Sequence, residues 1–343
     1  MLPVVSIIIP CRNEEQFIGK VIDNLLHQDY PREKMEIIFV DGRSNDGTRE
    51  MIQSFTSLHS FMSLVDNPAC VVPHALNEGI RMSKGELIIR MDAHAVYPLN
   101  YISQLVSWQQ QLNADNVGGM WITKPGAETP MANAIAVALS HPFGIGNARY
   151  RLGSKKPVEV DTVPYGCYKR EVFDKIGLFD EQLIRNQDDE FNARLKKNGG
   201  KIFLVPDIKI DYFARPTLSK LSKMYFQYGW FKPLVNIKIG YPPTIRQLAP
   251  ITLVSIIFLS GIVSLLFPFL SWSFFVVIGF YLLTDLIFSM QLSIKRGINN
   301  LFYLLLIFPC IHFSYVFGYM KGIVKFVFLK EHRHKKTTVS VSR

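Results

Sequence analysis

Three groups of polar residues in this chain have types and spacings that can do chemistry. Asp92 and His94 stand at i and i+2 directly after the apolar run Glu86–Met91. In an extended segment such residues point the same way, so a carboxylate and an imidazole can converge on one cation. The competing reading is that His94 only satisfies a neighbour at a helix entry. Asp188, Asp189 and Glu190 open a helical pattern. There they either complement the helix dipole or supply a carboxylate that takes a proton from a hydroxyl. Arg12, Asn13 and Glu14 follow one apolar run, and Asp41–Gly47 follow another. If those runs are neighbouring strands, both loops line one cleft. Asp41 then suits a base N–H, while Arg12, Asn13 and Glu14 can address ribose and phosphate. The same Asp41–Gly47 stretch also reads as an Asx-rich turn capping the next helix.

These residues need elements to carry them. Val4–Ile9, Glu36–Val40 and Glu86–Met91 are short runs that read as buried strands. Glu14–Gln28 places Phe17, Ile18, Val21, Ile22, Leu25 and Leu26 at the spacing of an amphipathic helix. Further helices are expected from about Thr48, over Val72–Met82 and over Pro98–Leu112. This alternation predicts an α/β fold with a mostly parallel, Rossmann-like sheet and ligands at the strand C-terminal ends. From roughly 121 to 235 the pattern is irregular, with helices expected around 130–140, at Asp188–Lys197 and over Thr217–Trp230.

The chain of 343 residues is 48% hydrophobic and 13% aromatic, which excludes disorder, and its net charge is +10. That charge is unevenly placed. Residues 1–235 hold 27 Lys/Arg and 26 Asp/Glu, whereas 236–343 hold 11 Lys/Arg against Asp285 and Glu331. The excess lies in the apolar third, which favours a membrane surface over nucleic acid. Residues 248–294 carry one charge, Asp285, and divide into runs of about 248–268 and 272–294, each long enough to cross a bilayer. A third run, 301–319, contains Pro309. As a full span it would export a tail with seven Lys/Arg from Lys321 onward. It is therefore expected to be re-entrant or interfacial, broken at Pro309. Residues 320–343 read as an amphipathic basic tail. The expected division is a cytosolic domain over 1–235 and a multi-pass anchor in the cell membrane over 236–343. Asp285 is either functional or a polar contact to Ser289 or Thr284. The four scattered cysteines lack metal spacing and read as reduced thiols, and no signal peptide is expected at the N-terminus.

Five phrases in order carry a resemblance: Ser6-Ile-Ile-Ile-Pro-Cys-Arg-Asn-Glu-Glu15, Val40-Asp-Gly-Arg-Ser-Asn-Asp-Gly-Thr48, Arg90-Met-Asp-Ala-His94, Arg185-Asn-Gln-Asp-Asp-Glu-Phe-Asn-Ala-Arg-Leu195 and Gln227-Tyr-Gly-Trp-Phe-Lys232. Over about residues 4–235 the chain resembles the family 2 glycosyltransferases of GT-A fold, and within them the membrane-anchored exopolysaccharide transferases of succinoglycan-biosynthesis type. The resemblance implies that Pro10, Arg12, Asn13, Glu14, Asp41, Ser44, Asp46 and Asp92 hold a nucleotide-sugar. Asp92 and His94 would be the family's metal motif, with His in the second position. A mixed oxygen and nitrogen pair suits Mn²⁺ slightly better than Mg²⁺. Asp188 would be the base of an inverting transfer, with Asp189 as the alternative because Gln187 stands where Glu is usual. Gly166 would leave space for the donor sugar and acceptor. Gln227 and Trp230 resemble a polysaccharide-synthase motif that has Gly229 in place of Arg. They serve the acceptor in that reading, or form an interfacial aromatic belt in another. Arg215 and Lys232 could meet a diphosphate, a lipid phosphate or water.

The expected function is an inverting transferase of one sugar, from a nucleotide donor (UDP-linked first) to a lipid-linked glycan, with membrane lipid as a further partner and no nucleic acid. A polyprenyl-phosphate sugar synthase, a processive synthase and a non-catalytic nucleotide-binding membrane scaffold are the alternatives. A Rossmann dehydrogenase is disfavoured, because Gly144-Ile-Gly146 lacks the third glycine and the preceding strand.

Overall fold

The computed structural model describes residues 1–296 and 300–331; the basic tail expected beyond 331 lies outside the described residues. In chain order the elements are β1 (Val5–Cys11), α1 (Glu15–Leu26), β2 (Met35–Asp41), α2 (Thr48–Thr56), β3 (Met62–Asp66), α3 (Val72–Met82), β4 (Leu87–Arg90), β5 (Ala95–Val96), α4 (Tyr101–Leu112) and β6 (Asn116–Lys124). There follow α5 (Pro130–Ala138), α6 (Pro142–Ile145), α7 (Arg149–Leu152), β7 (Val158–Glu159), β8 (Cys167–Lys169), α8 (Arg170–Ile176), α9 (Gln187–Lys197) and β9 (Ile202–Phe213). The chain continues with α10 (Leu218–Ile239), α11 (Ala249–Leu266), α12 (Ser271–Arg296) and α13 (Leu301–Gly322).

Two compact units result, one of Met1–Ile122 with Arg149–Tyr212, the other of Thr123–Ala148 with the chain from Phe213 onward. This division differs from the expected boundary at 235. Residues 123–148 and α10 join the apolar helices, and the reason for α10 is its packing on α13, described below.

In the first unit the sheet order is β3-β2-β1-β4-β8-β6-β9-β5, with β7 on β9. The strands β3, β2, β1 and β4 run parallel to one another, whereas β8 runs antiparallel to both β4 and β6. Parallel strands covered on both faces must be apolar throughout, and Ile7, Ile8, Ile9, Ile37, Ile38 and Phe39 are all buried. On one face α1 packs through Ile18, Val21, Ile22 and Leu25, and α3 covers the other through Ala75, Leu76 and Ile80. Gly79 lets α3 lie directly on β1, since a Cβ there would sit 2.5 Å from Ile8. Sequence periodicity located α1 to α5 and α9 within a few residues, but ended α10 at Trp230 where it continues to Ile239, and gave no sign of the short α6, α7 and α8. It did not assign β3, β6 or β9, although Asp207–Tyr212 of β9 alternates polar and apolar residues.

In the second unit, among the described residues, three helices are long and apolar enough to cross a membrane. The third differs from expectation: α13 is unbroken through Pro309. A proline is tolerated in such a helix where neighbours re-satisfy the freed backbone. Half of its apolar window is buried within the chain, far more than for the other two. The cause is a glycine-lined crossing with α10. A Cβ on Gly229 would stand 1.9 Å from Tyr315 O, one on Gly318 2.0 Å from Phe226 O, and one on Gly322 2.2 Å from Trp230 O. Backbone therefore meets backbone, as small residues allow between apolar helices. On α12, Asp285 is buried and accepts a hydrogen bond from Ser289 Oγ at 3.2 Å, while Thr284 turns to Phe280 O.

Candidate active site

The parallel register sets Pro10 opposite Val40 and Cys11 opposite Asp41, so the loops after β1 and β2 adjoin. They are tied together. Asn13 N donates to Ser44 Oγ at 2.9 Å, Asn45 N to Asn13 Oδ1 at 3.0 Å, and Glu14 N to Thr48 Oγ1 at 2.8 Å. Asn13, Arg43 and Cys70, one at each of three neighbouring loops, hold positive φ angles of 54°, 55° and 60°. Strained backbone of this kind collects at binding sites. Arg12 stays exposed and reaches Cys70 O at 3.4 Å.

Two residues expected on the nucleotide are used differently in this geometry. The Asp41 carboxylate is fully buried and accepts from Ser44 Oγ at 2.5 Å and from Arg49 Nη1 at 3.3 Å. It braces the loop instead of presenting a free acceptor. Arg49 continues to Asp66 Oδ1 at 2.5 Å, and Asp66 is the exposed carboxylate at these strand ends. Asp46 accepts from Thr48 N, Thr48 Oγ1 and Glu15 N, the Asx turn that competed with the binding reading. Burial pushes its carboxyl up, but the Thr48 and Glu15 hydrogen bonds outweigh this and hold it below the usual range.

A cluster of charged side chains lies where β4 leaves the sheet. Arg90, its last residue, is 8% exposed, and its backbone N donates to Gly166 O at 3.1 Å. Arg90 and Asp92 are i and i+2, and Nε and Nη2 of the guanidinium reach Asp92 Oδ1 at 3.1 and 3.0 Å. Nη1 reaches across 98 residues to Asp188, at 2.5 Å from Oδ1 and 2.6 Å from Oδ2. Asp188 stands in the first turn of α9, which begins after Asn186 in a left-handed conformation, φ 61°. Burial raises the Asp188 carboxyl above the usual range, and Arg90 opposes that rise without cancelling it. Burial also disfavours the Arg90 charge, but Asp188 and Asp92 more than compensate, so Arg90 stays a cation.

The three acids of α9 separate by role. Asp188 turns to Arg90, and Asp189 lies close enough to repel it. Glu190 is buried and receives both arms of Arg194, whose Nη2 also binds Leu178 O at 2.8 Å. Tyr97 and Tyr165 complete the surroundings. Asp92 N donates to Tyr97 Oη at 2.7 Å, and the Tyr165 ring lies 5.8 Å from the Arg90 guanidinium carbon. Tyr165 itself has φ 49°. Arg90, Tyr97, Tyr165, Arg49 and Asp66 were not singled out from sequence. The one available signal was an arginine closing an apolar strand, two residues before Asp92.

His94 Nδ1 lies 3.5 Å from Glu14 Oε1, so Glu14 faces the imidazole. No group of three His, Cys, Asp or Glu side chains that could hold an ion occurs among the described residues. Asp92 and His94 are an oxygen and a nitrogen donor two residues apart at the strand exit, Asp92 Oδ1 resting on Arg90 and His94 beside Glu14. Their donor chemistry suits a divalent ion that takes its other ligands from diphosphate oxygens and water. Gly166 departs from expectation. A Cβ there would meet Asn116 Oδ1 at 2.2 Å, so the space it leaves is filled by the Asn116 side chain, which donates to Asn192 Oδ1 at 3.0 Å.

Arg215, Gln227, Trp230 and Lys232 belong to the second unit. Gln227 is buried on α10, and the Trp230 ring receives the ammonium groups of Lys321 at 4.4 Å and Lys325 at 5.2 Å. Gly229 is where α13 passes against α10.

The mostly parallel sheet, with Asp92 just past β4 and Asp188 opening α9, is a GT-A-like α/β fold, and residues 6–177 match the family described as Glycosyl transferase family 2. The chain belongs to that family and is a glycosyltransferase. It is 30% identical, over 94% of its length and 97% of the relative's, to the dolichyl N-acetyl-alpha-D-glucosaminyl phosphate 3-beta-D-2,3-diacetamido-2,3-dideoxy-beta-D-glucuronosyltransferase of Methanococcus voltae. It is also 30% identical to the succinoglycan biosynthesis protein ExoA of Rhizobium meliloti, over 74% of this chain and 76% of that one. Among solved structures it resembles a mannosyltransferase of Pyrobaculum calidifontis in complex with GDP-Man and Mn²⁺. The TM-score is 0.60 at 17% identity, covering 95% of this chain and 88% of that one.

Proposed function

We propose that this chain is an inverting, cation-dependent transferase that moves one sugar from a nucleotide donor to a lipid-linked glycan at the cytosolic face of the cell membrane. The observation that carries the reading is the convergence of Asp92, from the end of β4, and Asp188, from the first turn of α9, on one guanidinium. In this reading Asp188 accepts the proton of the acceptor hydroxyl as its oxygen bonds to the anomeric carbon. The bond from that carbon to the diphosphate breaks on the opposite side, so one displacement inverts the centre. Asp92 and His94 would hold a divalent ion, Mn²⁺ or Mg²⁺, which neutralises charge on the departing diphosphate. Arg12 and the Asn13–Ser44 pair line the donor side. Asp189 stays the weaker candidate for the base, because it is Asp188 that the guanidinium holds.

The lipid-linked acceptor is supported by the dolichyl phosphate substrate named for the Methanococcus voltae relative and by the three apolar helices. Single-sugar transfer is supported by Gly229, which removes the arginine of the processive motif. Arg215, Gln227, Trp230 and Lys232 remain candidates for the acceptor's phosphate or for lipid. The test is a donor screen by mass spectrometry, starting with UDP-sugars, on the full chain in detergent with a lipid-diphosphate-sugar acceptor. Asp188→Asn should lose transfer and keep nucleotide binding. Unchanged turnover in that variant overturns the assignment.

A further inference from the structure

We propose that Arg90 is a positioning residue for the transfer, holding the Asp188 base in register with the carboxylate that faces the leaving group. The inference rests on the reading of Asp188 and Asp92 above and assigns the part that couples them. The geometry uses every nitrogen of one planar group: Nη1 spans both Asp188 oxygens, while Nε and Nη2 address Asp92. A rigid fork fixes angle as well as distance, which an ammonium cannot do. The fork is itself fixed. Its backbone is the last residue of β4, bonded to Gly166 O, and its guanidinium faces the Tyr165 ring.

Stability alone is a weak reason for such a group. A buried ion pair often contributes no more than apolar side chains of similar volume, because desolvation offsets the attraction. Here Arg90 reaches an acid 98 residues away in the chain as well as Asp92 on its own strand exit, and in the reading above the two acids serve the acceptor and the leaving group. Asp188 is still 30% exposed on its side chain, so it can meet an acceptor while Arg90 holds it from behind. A carboxylate has about four lone-pair sites, and the Nη1 contact leaves some for a hydroxyl proton.

The experiment measures kcat, donor KM and active fraction, the last by nucleotide titration, for Arg90→Lys and Arg90→Gln in the full chain. A displacement of about 1 Å at a reacting group can cost about 100-fold. Arg90→Lys should therefore lose about 100-fold in kcat per active site, and Arg90→Gln more. Donor KM should rise less than about fivefold, because Tyr97 still holds the Asp92 backbone and uniform binding is largely kept. In an Asp188→Asn background, Arg90→Lys should cost little further, since both changes remove one function. Parental kcat in Arg90→Lys overturns the proposal. So does a loss that vanishes after correction for active fraction, or the same 100-fold loss on top of Asp188→Asn. If Asp188→Asn is inactive and Arg90→Lys is parental, only the role of Arg90 fails. If Asp188→Asn itself turns over normally, the reading of the base fails first.

Discussion

Replacing Gly318 by alanine is expected to separate α10 from α13. The added Cβ would stand 2.0 Å from Phe226 O, 2.8 Å from Phe226 C and 2.9 Å from Trp230 N, whereas ordinary contact begins at 3.4 Å. All three obstacles are backbone, so no side chain can turn aside. The helices must part by about 1.4 Å at the crossing, and a gap of about 0.5–1 Å already forfeits a quarter to a half of each dispersion contact. Overpacking of a close contact costs about 1–3 kcal/mol, and this case belongs at the upper end. Alanine returns up to about 1 kcal/mol of helix propensity. The net loss is then about 2 kcal/mol from the two terms together. Gly279, on α12, is the internal control: nothing lies within 4 Å of its Cβ position, so Gly279→Ala should be neutral or slightly stabilising. The assay is thermal unfolding of the full chain in a mild detergent, followed by tryptophan fluorescence. A Gly318→Ala midpoint at or above the parent would refute the glycine-lined crossing.

Chelation with EDTA should stop transfer, and added Mn²⁺ or Mg²⁺ should restore it; full activity without a divalent ion would retire Asp92 and His94 as ligands. The acid limb of kcat should lie above the 3.8 of an ordinary aspartate, because burial raises the Asp188 carboxyl and only its ionised form accepts a proton. Activity is therefore lost as pH falls through that raised value, and a limb at or below 3.8 in a pH–rate profile would contradict the assignment. Asp46→Ala should cost about 1 kcal/mol through loss of the turn that starts α2, read by chemical denaturation, with most nucleotide affinity kept. A variant that folds normally but no longer binds nucleotide would return Asp46 to the binding site.

Much of the fold was legible because its signals are local. Apolar residues at i, i+3 and i+4 marked α1 and α3, and β-branched runs closed by turn residues marked β1 and β2. The loops after those strands, and Asp92 and Asp188, carried enough chemistry to suggest a transferase. What stayed hidden depends on partners distant in the chain. The turn reading of Asp41–Gly47 covered the Ser44 contact, but nothing announced that Arg49 joins the Asp41 carboxylate to Asp66 on the neighbouring strand. Gly166 looked like space for a sugar, and the space belongs to Asn116. Gly229 stood out only as a departure from a synthase motif, and it is also where α13 crosses. Proline in an apolar run looked like a break, but α13 packs on α10 and continues through Pro309.

Composition and periodicity by themselves determined that this is an α/β domain joined to apolar, basic helices, because burial and bilayer crossing act on short windows of sequence. Motif order determined the family. Only the tertiary structure decided which of three adjacent acids faces Arg90. Neighbours in a helix point in directions about 100° apart, and the side that faces Arg90 is set by the approach of α9 to the end of β4. The same contact turned an unremarked strand-end arginine into the group that joins Asp92 to Asp188.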